Sequence, residues 1–97
     1  MNTYYYNTTV RIQGSWTQGS VASDPDTVTF KITDPDNVTT TYVYGTNDEL
    51  IKVSTGIYRV DINLNKEGIW YYRWEGTGSV QSSFENILEV LRSSFIS

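Results

Sequence analysis

Apolar side chains fall on every second residue over two neighbouring runs: Tyr58, Val60, Ile62 and Leu64, then Trp70, Tyr72 and Trp74. A period of two gives each run one face for a core and another for water. The polar link Asn65-Lys66-Glu67-Gly68 joins them. This predicts two successive antiparallel strands paired as a hairpin, with three large aromatics aimed inward on the second. A chain built this way must close its apolar face with a second sheet, because nothing in the runs has the spacing of an amphipathic helix.

The rest of the chain repeats the pattern. A strand is predicted at about 8–16, with Val10 and Ile12 inward, Trp16 near its end, and Gly14 marking a bulge or close packing. The polar stretch Thr17 to Asp26 reads as a loop. A strand at about 27–33 carries Val28, Phe30 and Ile32 on one face. Asp34-Pro35-Asp36-Asn37 then makes a tight turn, since proline presets the second turn position and Asp side chains bond nearby backbone N–H groups. Strands follow at about 38–44, 50–53, 57–64, 69–76 and 83–91. In the last, Phe84, Leu88 and Val90 share a face, while Ile87 and Leu91 sit in the other phase, through a late bulge or under a partner. A short helix at about 84–92 is the weaker alternative there. Seven short strands with turn signals between them fit an all-β, immunoglobulin-like β-sandwich of antiparallel strands. It occupies residues 8–91, between an N-terminal arm at 1–7 and a C-terminal arm at 92–97.

With 97 residues there is room for one small domain. There is no cysteine, which excludes disulfides, thiolate metal sites and thiol chemistry, and no histidine, which removes the commonest general base near neutral pH. A net charge of −4 without a basic stripe argues against nucleic acid. No apolar run approaches ~20 residues, so no membrane span is expected. Met1-Asn2-Thr3-Tyr4-Tyr5-Tyr6 has neither the basic start nor the apolar centre of an export signal.

Candidate chemistry is sparse. Asp24-Pro25-Asp26 and Asp34-Pro35-Asp36 are close carboxylate pairs, but turn chemistry explains them and no further calcium ligand is evident. Asp61, Glu67, Glu75, Glu85 and Glu89 are scattered, not paired across a cleft as glycoside hydrolysis requires. No activated nucleophile is visible. No cofactor, metal or catalytic residue is expected. Tyr71, Arg73 and Glu75 should project outward, either as a sugar-binding platform with Tyr42 or Tyr44 or as ordinary cross-strand pairs; the second is favoured. Both arms carry residues that an isolated sandwich would not use. Tyr4, Tyr5 and Tyr6 stand in a row and cannot all face one core, and Phe95 and Ile96 lie in the C-terminal arm. With Ile87 and Leu91 these are the candidate partner-binding residues.

Five runs stand out together: Val28 to Asp36, Thr40 to Gly45, Thr55 to Ile62, Gly68 to Gly78 and Phe84 to Phe95, of which Arg73-Trp74-Glu75-Gly76-Thr77-Gly78 and Arg92-Ser93-Ser94-Phe95 are the more particular parts. They resemble small immunoglobulin-like proteins encoded among the virion structural genes of tailed bacteriophages. The resemblance covers about residues 8–95 and implies a non-enzymatic virion component assembled in host cytoplasm. The expected role is a capsid decoration or cement protein that binds other virion proteins, foremost the major capsid protein, with homo-oligomers on the particle. Neck, tail or baseplate parts and a carbohydrate- or host-surface-binding module are the alternatives. Docking would bury the apolar arms, and the edge of the 8–16 or the 83–91 strand would add backbone bonds to a neighbour.

Overall fold

The computed structural model describes residues 2–78 and 82–92, and the described residues are all-β, with no helix. The strands are β1 (Asn2–Tyr5), β2 (Thr8–Ser15), β3 (Thr17–Gln18), β4 (Val21–Ala22), β5 (Thr27–Thr33), β6 (Thr39–Val43), β7 (Leu50–Ser54), β8 (Ile57–Leu64), β9 (Gly68–Thr77) and β10 (Ser82–Leu91). A five-stranded sheet runs β1-β10-β9-β5-β6, and a three-stranded sheet runs β2-β8-β7. All pairings are antiparallel except β1 on β10, which is parallel, so the larger sheet is mixed.

One core lies between the two sheets. The larger sheet supplies Val28, Phe30, Ile32, Trp70, Trp74, Leu88 and Val90; the smaller supplies Val10, Ile12, Leu50, Tyr58, Val60, Ile62 and Leu64. These are the alternating inward positions of each strand, as the period of two requires. Trp16, just past β2, fills the end of this core, with its ring 5.6 Å from Tyr58, 5.7 Å from Trp74 and 5.5 Å from Phe84. Gly14 is a site of close packing, not a bulge. The β2–β8 register runs through it unbroken, and a Cβ there would lie 2.8 Å from Cδ2 of Trp74.

The structure departs from the sequence expectation in several places. β8 and β9 are not a hairpin: the Asn65–Gly68 link carries the chain from the smaller sheet to the larger one. Its direction is set by contacts outside the two runs. Lys66 reaches Asp34 and Asp36 on the β5–β6 turn at 2.9 Å each, Trp70 Nε1 donates to the Lys66 carbonyl at 3.0 Å, and Gly68 (φ 127°) lies against Pro35. Alternation says which face of a strand is buried, but not which strand lies beside it. The β5–β6 hairpin does form, and Asp34 Oδ1 accepts from the N–H groups of Asp36 and Val38, at 2.9 and 3.0 Å. The stretch 17–26 holds the small β3–β4 hairpin, turned by Gly19 and Ser20 at positive φ. Residues 84–91 belong to the extended strand β10 rather than a helix, and its register with β9 has no shift, so no bulge accounts for Ile87 and Leu91. Residues 2–5, read from sequence as part of an arm, form β1 and extend the larger sheet.

Candidate binding surface

β10 turns Phe84, Leu88 and Val90 to the core and Ile87, Glu89 and Leu91 to the outer face of the larger sheet. Register carries that division across the sheet. Ile87 stands opposite Tyr71, Glu89 opposite Ile69 and Thr3, and Leu91 opposite Tyr5. Tyr5 is 63% exposed, Tyr71 53% and Leu91 39%, and Ile87 is half-buried between its neighbours. The result is a largely apolar region at the β1 end of the outer face, with Glu89 set between Ile87 and Leu91.

The parallel pairing of β1 resolves the three consecutive tyrosines. Tyr4 stands opposite buried Val90 and packs on the core, whereas Tyr5 stands opposite Leu91 and points outward. Tyr6 follows the strand, is 38% exposed, and its N–H donates to the Leu91 carbonyl at 2.9 Å. Of the sequence candidates, Tyr5, Ile87 and Leu91 therefore share one surface, and Tyr4 does not belong to it. Phe95 and Ile96 lie outside the described residues. Ile69 and Tyr71 join the patch; neither was among the partner-binding candidates, although the sequence placed Tyr71 on the outer face of its strand. The phase of β9 carries that signal, because both fall on the positions that alternate with Trp70, Tyr72 and Trp74.

Charge borders the patch. Arg73 Nε contacts Glu75 at 2.7 Å, Arg73 Nη1 contacts Glu85 at 2.7 Å across the β9–β10 pair, and Lys31 Nζ contacts Glu75 at 3.3 Å. The Arg73 guanidinium, foremost, holds the Glu75 carboxyl below its ordinary value. Arg73 and Glu75 thus pair across strands, with Glu85 and Lys31, and with each other along β9. The aromatic platform does not form: Tyr42 packs on Phe30 (6.2 Å) and Tyr44 on Tyr58 (5.2 Å), both away from Tyr71.

Comparison with known protein families, curated proteins and solved structures finds no match.

The carboxylate pairs are occupied by the chain's own donors. Asp24 accepts from Lys52 Nζ and the Gly56 N–H, each at 2.7 Å, and from the Tyr58 hydroxyl at 3.1 Å. Asp34 and Asp36 share Lys66. Among the described residues no three acidic side chains gather as a metal site would need. The Lys52 ammonium, then the Gly56 amide, hold the Asp24 carboxyl below the ordinary 3.8, and Lys66 and the Val38 amide do the same for Asp34. Burial, then the bond to Asp24, pushes the Tyr58 phenol up to about 12.

Both carboxyls bind protons less readily folded than unfolded. Their contribution to stability is complete above 3.8 and fades as pH falls through the lower folded values. The raised phenol acts in the opposite sense, with a contribution complete below 10.0 that is lost as pH rises toward about 12. The thermal midpoint should be level between those limits and fall on either side, and Asp24→Asn should flatten the acid limb. Differential scanning calorimetry across the pH range checks this; a midpoint that climbs on acidification contradicts it.

Proposed function

We propose that this chain is a non-enzymatic structural protein of a tailed-bacteriophage virion. In that role it decorates or cements the capsid by binding other virion proteins, foremost the major capsid protein. The observation that carries the reading is the apolar outer patch of Tyr5, Tyr71, Ile87 and Leu91, bordered by the Arg73 ion pairs. A region of aromatic and aliphatic side chains rimmed by charge suits a protein partner, whose core contacts exclude water while the rim sets orientation. The resemblance of Gly68 to Gly78 and Phe84 to Phe95 to phage immunoglobulin-like proteins supplies the biological setting.

The finer fold assignment belongs with this proposal. In an immunoglobulin-like frame β2, β8 and β7 take the places of strands B, E and D, and β5, β6, β9 and β10 those of C, C′, F and G. The strand order supports that reading, with one departure: β1 lies on the G position instead of beside B.

Purified protein mixed with undecorated heads should sediment with them at micromolar concentration. Ile87→Asp and Leu91→Asp should each weaken that binding by about tenfold or more, as expected for anchors near the centre of an interface. Tryptophan fluorescence would verify that the variants stay folded. Failure of the wild-type protein to sediment with heads, necks or tails would overturn the proposal.

A further inference from the structure

We infer that the chain associates with a second copy of itself by antiparallel pairing of β2 with β2, a step that does not depend on the virion reading. β10, expected as a free edge, is flanked by β9 along its length but by β1 only over Leu88–Leu91, so its open stretch, residues 82–87, is shorter than β2. Because the N-terminal strand joins β10, nothing described pairs with the far side of β2. That leaves the longest open edge among the described residues. β2 runs eight residues without a register shift, whereas β1 has four residues, β7 has five and a shift between Lys52 and Ser54, and β6 has five. Val43 at the end of β6 is also capped, by the Asn47 side chain on its N–H and by the N–H groups of Thr46 and Asn47 on its carbonyl. Short length, bulges and covering loops protect an edge, and β2 has none of them; its one charged side chain, Arg11, pairs with Asp61 at 3.0 Å.

The hydrogen-bond phase identifies the open groups. Trp16 N–H bonds the Gly56 carbonyl at 2.8 Å, in register with the β2–β8 ladder. Alternation then directs the backbone groups of residues 14, 12, 10 and 8 to β8, and those of Thr9, Arg11, Gln13 and Ser15 to the open side. A two-fold axis at Ile12 matches all four: Thr9 with Ser15 of the second copy, Arg11 with its Gln13, and the reverse pairs, each exchanging two backbone bonds. Two symmetric registers neighbour it: the one centred on Arg11 would set arginine against arginine, which cross-strand pairing disfavours, and the one centred on Gln13 would leave Thr9 without a partner in β2. The Ile12-centred register places Ile12 against Ile12 on the inner side and, on the outer side, Thr9 against Ser15 and Arg11 against uncharged Gln13. Self-complementarity of this kind is what an isologous dimer requires and what an unrelated strand would have no reason to supply.

Sedimentation velocity of the full chain, from micromolar to millimolar concentration, tests the inference. A concentration-dependent dimer is expected. Gln13→Pro removes an edge-facing N–H that the β8 ladder does not use, and should weaken the dimer by at least about tenfold. Gln13→Lys, a change at an exposed position, sets a second cation opposite Arg11 in both symmetric pairs and should weaken it likewise. Thermal melts would show that the monomers remain folded. A wild-type chain that stays monomeric throughout overturns the inference, as does a dimer that both variants leave intact. Both results would stand whether or not the protein binds phage heads.

Discussion

Trp74→Ala should cost about 3–5 kcal/mol, a large share of the about 5–15 kcal/mol that holds a domain folded. Trp74 is the largest of the fully buried side chains, at the centre of an aromatic cluster with Phe30 (4.7 Å) and Trp16 (5.7 Å). It holds the two sheets together directly, because its ring lies against Gly14 of β2 while its own strand is in the larger sheet. Truncation would open a cavity that β2 cannot fill, since Gly14 has no side chain to extend into it. The indole N–H of Trp74 is buried and has no hydrogen-bond partner among the described residues, so the ring contributes through packing alone. Trp74→Phe keeps much of that packing and removes an unsatisfied donor that costs about 1–3 kcal/mol. It should therefore fall well short of the alanine penalty. Chemical denaturation of both variants checks the pair; a soluble, cooperatively folded Trp74→Ala protein with a near-normal midpoint would refute the placement.

What the sequence made legible is the inward set of each strand, and the reason is physical. Val10, Ile12, Val28, Phe30, Ile32, Val60, Ile62, Trp70 and Trp74 all obey the period of two, and all are buried. The bounds of the strands at 27–33 and 57–64 follow from the same pattern ended by turn residues. Neighbour choice was not legible, because it is decided by contacts remote in sequence. Lys66 on Asp34 and Asp36, and Gly68 on Pro35, take the chain between sheets at a link that otherwise reads as a hairpin turn. β1 was hidden for a related reason. Four residues with three tyrosines nearby show no alternation, and only the pairing with β10 separates inward Tyr4 from outward Tyr5. The candidate surface was partly legible, since Ile87 and Leu91 were out of phase with the core of β10. Its other half required knowing that Tyr71 is the cross-strand neighbour of Ile87.

Gly56→Ala should cost about 2–4 kcal/mol by adding two separate penalties. The first is conformational. Gly56 has φ +75°, where a Cβ collides with the following carbonyl, at about 1–2 kcal/mol. The second is steric and falls on backbone, which cannot swing aside. An added Cβ would stand 2.5 Å from the Trp16 carbonyl oxygen and 2.9 Å from the Ser23 nitrogen. Moving those atoms would also disturb the bonds that close this end of the fold: Gly56 N–H to Asp24 at 2.7 Å, Trp16 N–H to the Gly56 carbonyl at 2.8 Å, and Ser23 N–H to the Trp16 carbonyl at 3.1 Å. Gly45 separates the two penalties. It has φ +91° but open space where its Cβ would be, so Gly45→Ala should carry the conformational cost alone, about 1 kcal/mol. Urea unfolding of the two variants side by side measures the difference. Equal losses would mean that the close approach of the β7–β8 turn to Trp16 does not bear on stability, and that the Asp24, Gly56 and Trp16 junction is not what seals this end of the core.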